Sequence, residues 1–278
     1  MTTPKADSAI IYIPHGGGPL PLLGHAGHEA MNIFLKGLAA MLPEPKAVVV
    51  ISAHWETDPP MVISHPEPEL VYDYYGFPRQ AYEIAYPAAG HPELALKAVA
   101  LLKEAGIKAK ADAKRGFDHG VYIPLTLMLP KADVPCIQIS LSKGLDPGRH
   151  LLMGEALRPL LKEKIWLLGS GFSFHNMRGF DLQAGPGPPS VLDFQNRSFQ
   201  DWLKKTCADE KISPEQQKQN LLDWEHAPAA RHCHPREEHL LPLMVCAGAA
   251  GYCPAHKAFD IKIMGRSSVS FFWRETVY

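Results

Sequence analysis

Short apolar runs that end in histidine or glycine alternate with helical segments along most of this 278-residue chain. The run KAVVVISAHWE is a continuous stretch of Val and Ile, which is typical of a strand covered on both faces. The segments PELALKAVALLKEAGI and GRHLLMGEALRPLLKE instead repeat apolar residues at helical spacing. This alternation predicts an α/β fold: a central mixed, largely parallel sheet with helices on both faces, in a single domain.

Charge and composition restrict the class of partner. The chain has 46% hydrophobic and 21% charged residues and a formal net charge of -1. This balance is typical of a folded domain and favours neither nucleic acid nor an anionic membrane as a partner. The start has too short an apolar run for a signal peptide, and no segment reaches the ~18 apolar residues of a membrane span. We expect a cytoplasmic protein that acts on a small molecule, in an oligomeric state that the sequence leaves open.

Three histidines follow or end predicted strands. His15 follows the run IIYIP, His54 ends the run VVVIS, and His175 lies in the turn GSGFSFHN. In a sheet of this type, ligands bind in the crevice beyond the carboxyl ends of the strands. A lone histidine there is more often a hydrogen-bonded structural residue, but several that converge favour a metal site or an acid–base site.

The segment RHCHPREEHLLPLM supplies another candidate ligand. We expect a helix that starts at Pro235 and has both glutamates in its first turn. His239 would follow on the apolar side, and Pro242 inside the helix would kink the backbone just past it. An ordinary capped helix with a polar first turn is the alternative interpretation of this segment alone.

Two connections interrupt the alternation. The first, residues 65–92, carries five tyrosines and Phe77. A long loop inside a domain is often functional, although its aromatic residues could instead pack it against the body of the protein. The second connection, residues 179–190, is rich in Gly and Pro.

The motifs of the chain resemble those of a known enzyme family. HGGGP, ISAHW, GFPRQAYEIAYPAAG, GFDHGVYIPL, GSGFSFHN and REEHLLPLMVCAGAA, in this order, resemble the class III extradiol ring-cleavage dioxygenases, specifically the DOPA 4,5-dioxygenase-like branch. The resemblance runs over nearly the whole chain and implies one extradiol dioxygenase-like catalytic domain over residues 1–278. Many relatives have HGSP where this chain has the longer HGGGP, so we expect a reshaped pocket beside His15.

The resemblance also implies roles for five histidines. His15, His54 and His239 are the implied metal ligands. His175 is implied as the acid/base or as a candidate fourth ligand, and His119 as a catalytic histidine close to the ligands. Other branches use two histidines and a carboxylate, the set typical of non-haem iron, whereas an all-imidazole site also suits zinc.

The implied activity is that of an oxidoreductase, an extradiol aromatic ring-opening dioxygenase. We expect Fe(II) for activity, with Zn(II) as the alternative metal in purified protein, and a small catecholic substrate and O2 as the reactants. Tyr72 and Phe77 are expected to line the pocket for the ring. A zinc-dependent hydrolase that uses the same site and a non-catalytic binding protein of the same fold are the alternatives.

Overall fold

Runs of Val, Ile and Leu form the centre of one eight-stranded sheet. The computed structural model describes residues 8–180 and 191–274, so most of the second Gly- and Pro-rich connection lies outside the described residues. The strands are β1 (Ala9–Pro14), β2 (Ala47–Thr57), β3 (Met61–Ile63), β4 (Lys110–Asp112), β5 (Cys136–Ser142), β6 (Ile165–Gly171), β7 (Lys257–Ile263) and β8 (Arg266–Arg274). Their order across the sheet is β4-β3-β5-β2-β6-β1-β8-β7.

The sheet is parallel in its middle and mixed towards its edges. Strands β5, β2, β6 and β1 run parallel to their neighbours in that order. Antiparallel pairs join β3 to β5 on one side, and β8 to β1 and β7 to β8 on the other. The predicted mixed, largely parallel sheet is therefore confirmed.

Helices cover both faces of this sheet, as predicted. They are α1 (Glu29–Met41), α2 (Pro92–Glu104), α3 (His119–Met128), α4 (Pro147–Leu157), α5 (Val191–Ala208), α6 (Pro214–Leu222), α7 (Ala230–Cys233) and α8 (Leu241–Ala249). Successive side chains of β6 point to opposite faces. The Ser170 hydroxyl donates to the Gly120 carbonyl of α3 on one face. On the opposite face of the sheet, Gly169 and Gly171 lie against α8 and the residues before it. None of the described helices is long and apolar enough to cross a membrane.

Helix α8 starts later than the sequence predicts. It begins at Leu241, so Pro235 and His239 precede it and Pro242 lies in its first turn. Proline is tolerated there because the first amides of a helix have no partner within the helix. The predicted start at Pro235 and the predicted kink after His239 are therefore wrong.

The aromatic loop is joined to the body by backbone hydrogen bonds. The Val71 amide donates to the Phe117 carbonyl at 2.7 Å, and the Phe117 amide donates to the Glu69 carbonyl at 2.8 Å. A Cβ on Gly116 would lie only 2.1 Å from the Glu69 carbonyl oxygen, so this close approach requires glycine. The loop is thereby fixed against the residues that lead into α3.

Candidate metal centre and active site

All five histidines singled out in the sequence meet in one crevice. His15 follows β1, His54 lies in β2, His119 begins α3, His175 follows β6 and His239 precedes α8. Their rings contact one another at centroid distances from 3.3 to 5.3 Å. The convergence of histidines expected beyond the ends of the central strands is thus present.

Three of these histidines direct their Nε2 atoms at one another. Nε2 of His54 lies 2.9 Å from that of His15 and 3.2 Å from that of His239. The ring centroids of the three pairs are farther apart, at 4.7, 4.9 and 5.2 Å, so the rings splay outward from a common point. With bonds of about 2.1 Å to one ion, nitrogens at these Nε2 separations subtend roughly 90–100° at the ion. The separations of His54 from His15 and from His239 therefore fit neighbouring positions of an octahedral metal ion.

A hydroxyl sets the tautomer of His15. Its Nδ1 lies 3.0 Å from the Ser170 Oγ, and that hydroxyl donates its own proton to the Gly120 carbonyl. The Ser170 oxygen therefore accepts a hydrogen bond from the Nδ1–H of His15. A protonated Nδ1 leaves the lone pair on Nε2, which is the form that a metal ligand needs.

Two carboxylates hold the other four histidines in pairs. Oε1 of Glu238 lies 2.9 Å from Nδ1 of His239 and 3.0 Å from Nδ1 of His175. On the other side of the crevice, Oδ1 of Asp73 lies 2.7 Å from Nδ1 of His119, and Oδ2 lies 3.7 Å from Nδ1 of His54. Each carboxylate thus faces one histidine of the Nε2 triad and one outside it.

The two histidines outside the triad lie over the faces of triad rings. The centroid of His119 is 3.8 Å from that of His54 at an interplanar angle of 45°, and His175 stacks on His239 at 3.3 Å and 18°. Rings in such face contact do not splay around a common point as the triad does. The ligand atoms of His15, His54 and His119 also lie within 4.8 Å of one another, so His119 is a second candidate for the third ligand.

The backbone around His239 is fixed against β6 and β1. The His239 carbonyl accepts from the Phe172 amide at 2.9 Å and from the Tyr12 hydroxyl at 2.9 Å. A Cβ on Gly171 would lie 2.2 Å from that carbonyl oxygen, so glycine is needed for this approach. The small residues at the end of β6 therefore place His239 in the crevice.

His54 lies inside β2 and not at its end. The strand continues to Thr57, but its pairing with β5 shifts register between Ile51 and Glu56. Such irregularities redirect side chains and are frequent beside active sites. The shift brings a residue from the middle of a long strand to the crevice.

Comparisons with known proteins identify the family of this chain. The sequence profile of LigB, described as the catalytic LigB subunit of aromatic ring-opening dioxygenase, matches residues 25–272. The chain belongs to the LigB family. The extradiol dioxygenase family predicted from the motifs is thereby confirmed, and with it the oxidoreductase class. The match contains four of the five crevice histidines and begins after His15.

Two curated relatives of this LigB-family chain cover nearly all of it. Dioxygenase tasH from Hapsidospora irregularis is 37% identical over 281 residues, which span 95% of this chain and 85% of that protein. The 4,5-DOPA dioxygenase extradiol of Beta vulgaris is 37% identical over 270 residues, which span 94% of this chain and 95% of that protein. The crystal structure of an uncharacterized protein from Escherichia coli K12 has a TM-score of 0.72 at 27% identity, with 95% of this chain and 99% of that chain covered.

Burial keeps the triad of this LigB-family protein in the ligand form. Burial lowers the pKa of His15, His54 and His239 well below the usual value, and neighbouring histidines lower it further. Burial alone would raise the pKa of the two carboxylates. The histidine partners of Asp73 lower its pKa below the usual value, and His175, a backbone amide and Arg236 together do the same for Glu238. Neutral imidazoles between two anionic carboxylates suit a divalent cation.

The aromatic loop contacts the crevice through Tyr74. Its ring centroid lies 5.9 Å from that of His119. Tyr72 and Phe77, the residues predicted to bind the ring of the substrate, contact Tyr74 at 6.1 and 5.4 Å. A Cβ on Gly18 would lie 3.7 Å from the Phe77 ring, so the long HGGGP motif is next to these aromatic residues. Substrate contact by Tyr72 and Phe77 stays a prediction.

Three residues that hold the histidines in place are not among the predicted site residues. Asp73 stands between Tyr72 and Tyr74 in the loop. Glu238 was predicted as a first-turn residue of the helix, and Ser170 lies in the predicted turn that carries His175. A carboxylate inside a loop suspected of function was the available signal for Asp73.

Proposed function

We propose that this protein is an extradiol ring-cleaving dioxygenase that inserts both atoms of O2 into a catecholic substrate. The proposed non-haem metal is held by His15, His54 and His239. The observation that carries the proposal is the convergence of their Nε2 atoms at 2.9 and 3.2 Å, with Nδ1 of each facing a hydroxyl or a carboxylate. The names of the relatives, which include a DOPA dioxygenase, support a catechol as the substrate.

We propose His239 and not His119 as the third ligand. Nε2 of His239 lies 3.2 Å from Nε2 of His54, a separation that suits two ligands of one metal ion. The centroids of the two rings are farther apart, at 4.9 Å, so the rings diverge away from the two Nε2 atoms. The His119 ring instead lies over the His54 ring. For the same reason we propose that His175, which stacks on His239, lies outside the ligand set.

Fe(II) is the metal we propose for activity. When bound, it would hold the diol and dioxygen together and lower the pKa of the diol hydroxyls. Imidazole donors also bind Zn(II), so purified protein could contain zinc.

The protein's own contribution is to move protons beside that metal. Glu238 accepts from Nδ1 of His175, so the lone pair of His175 lies on Nε2, where it can take a proton from a substrate hydroxyl and later return it. His119, held in the same way by Asp73, has its Nε2 lone pair free to accept a hydrogen bond from a substrate hydroxyl. Tyr72 and Phe77 would line the ring pocket together with Tyr74.

Reconstitution with Fe(II) under anaerobic conditions tests the proposal. The loaded protein is mixed with aerated buffer and a panel of catechols that includes DOPA, and oxygen uptake and new visible absorbance are recorded. We expect one O2 consumed for each substrate opened. Catechol binding without oxygen uptake would instead indicate a binding protein. Ester hydrolysis by the zinc form, without oxygen uptake by the iron form, would indicate a hydrolase.

A further inference from the structure

Asp73 makes three contacts at the start of α3 and at the metal crevice. Its Oδ1 accepts from Nδ1 of His119 at 2.7 Å and from the His119 backbone amide at 3.1 Å. Its Oδ2 faces Nδ1 of His54 at 3.7 Å. One carboxylate oxygen therefore fixes both the backbone and the ring of His119.

The loop that carries Asp73 has little freedom to move this carboxylate. Backbone hydrogen bonds join Glu69 and Val71 to Phe117, two residues before His119. The Asp73 amide donates to the Val71 carbonyl at 3.0 Å. The aromatic loop is thus joined to this segment twice, by backbone at Phe117 and by the Asp73 side chain at His119.

The ring of His119 is aimed by these contacts. It stands edge-on to His15 at 5.3 Å and 87° and lies over His54 at 3.8 Å. Because Nδ1 donates to Asp73, the lone pair of the neutral ring lies on Nε2. Without Asp73, either ring nitrogen could carry the proton.

We propose that Asp73 is a positioning residue: from the aromatic loop it holds His119 with Nδ1 protonated and Nε2 free. The loop that lines the predicted ring pocket would thereby also prepare a catalytic histidine. The role of His119 in catalysis rests on the function proposed above, whereas its tautomer does not.

A spectroscopic test is independent of catalysis. Spectra of protein with 15N-labelled histidine are recorded in the metal-free state, and the His119 signals are assigned by their loss in His119→Gln. We expect the Nδ1–H tautomer in wild type and a mixture of tautomers in Asp73→Ala. Asp73→Asn should keep the wild-type pattern, because an amide oxygen can still accept from Nδ1. An unchanged Nδ1–H signal in Asp73→Ala would overturn the proposal.

Kinetics of the Fe(II)-loaded enzyme provide the second test. We expect Asp73→Ala to lower kcat about 10–100-fold, the usual effect of removing a residue that orients a histidine of a metal site. KM and metal content should stay within about twofold, and Asp73→Asn should recover most of kcat. Asp209→Ala is the matched control, because Asp209 also accepts a backbone amide in a loop but lies in an exposed turn.

The outcomes separate the possible failures. A kcat that falls only in proportion to lost metal, or that does not fall, would show that Asp73 has a structural role alone. If Asp73→Ala does not fold, Asp73→Ser, which keeps a hydroxyl for the His119 amide, is measured with the same expectations. If wild type opens no catechol, the proposed function fails while the tautomer test still decides the role of Asp73.

Discussion

The two carboxylates of the crevice each face two histidines, but they do so with different geometry. Glu238 uses one oxygen for both partners, at 2.9 and 3.0 Å, and the two rings stack at 18°. Asp73 binds His119 at 2.7 Å but stands 3.7 Å from His54, and those rings tilt by 45°. The Glu238 pair therefore couples a candidate ligand tightly to the proposed acid/base His175, whereas the Asp73 pair serves mainly His119.

The two pairs also differ in how the chain supports them. Glu238 directly precedes His239, whose carbonyl is held by two hydrogen bonds, and the Glu238 side chain is 12% exposed. Asp73 comes from a separate loop, and its side chain is 19% exposed. Both carboxylates orient histidines. Glu238 does so from backbone that is fixed against the sheet, whereas Asp73 does so from a loop that must dock against the start of α3.

The largest expected effect lies within the Glu238 pair. His239→Gln should lose the metal, as should His15→Ala and His54→Ala, because each removes one of the three proposed ligands. His175→Gln should keep most of the metal and bind catechol, while kcat falls by roughly 10²–10⁴, the usual share of general acid–base catalysis. Metal analysis and steady-state kinetics check both. If His175→Gln purifies without metal under conditions where wild type holds it, His175 is a ligand.

A second prediction compares the carboxylates directly. Glu238→Ala should weaken metal binding about 10–100-fold, because it removes the hydrogen bond that orients His239. Asp73→Ala should weaken it far less, since the 3.7 Å separation from His54 is too long for a strong hydrogen bond. Competition with a metal chelator measures both affinities. If the two variants lose metal affinity equally, Glu238 and Asp73 do not differ in how much they support metal binding.

The third prediction concerns two buried histidines outside the group of five in the crevice. Nε2 of His234 donates to the Ser173 carbonyl near the Glu238 pair, and burial lowers the pKa of His234 to about 3. His28 accepts from the Gly17 amide in the HGGGP motif, and burial lowers the pKa of His28 to about 4. Both stay neutral in the folded protein but take up a proton when the chain unfolds below pH 6.5.

The free energy of unfolding of metal-free protein should therefore fall as the pH drops below 6.5. The expected slope is about 1.4 kcal/mol per pH unit for each such group. The contribution of His28 should level off near pH 4, whereas that of His234 should continue towards pH 3. Urea unfolding at several pH values checks this. In the controls His28→Gln and His234→Gln, the free energy of unfolding should depend less steeply on pH. A stability independent of pH between 6.5 and 4.5 would contradict it.

The smallest expected effect lies in the loop that carries Asp73. Tyr72→Leu and Phe77→Leu should change KM or the preference among catechols by a few-fold, with metal content unchanged, because ring contacts in a pocket need not touch the ion. Tyr72→Phe keeps the ring and loses only the hydrogen bond to the Ile84 carbonyl, so it is the control. Identical kinetics across several catechols would favour a packing role for these residues.

The sequence predicts the central strands and the five histidines for physical reasons. Strands β1, β2, β5 and β6 are apolar because helices cover both faces, so their composition reveals them. The edge strand β7 alternates exposed and buried residues and carries lysines, and it was not identified. The start of α8 was misplaced because Pro235 and Pro242 both suit a first helical turn, and local preference does not choose between them.

The residues that orient the histidines were beyond prediction for a different reason. Asp73 and His119 are 46 residues apart, and their contact exists because backbone pairing brings the loop to the start of α3. No local pattern encodes such a pairing. Glu238 is next to His239 in sequence, but its second partner, His175, comes from the turn after β6. Such sharing becomes visible only once the strands are in register.

The triad is drawn from segments separated by 39 and 185 residues, and it is completed only when the turn before α8 docks on the parallel core. Contacts of such sequence separation form late and slowly, because the entropy cost of closing a long loop comes before the stabilisation that the contact contributes. We therefore expect a metal ion bound by the proposed ligands to slow unfolding while leaving the refolding rate nearly unchanged.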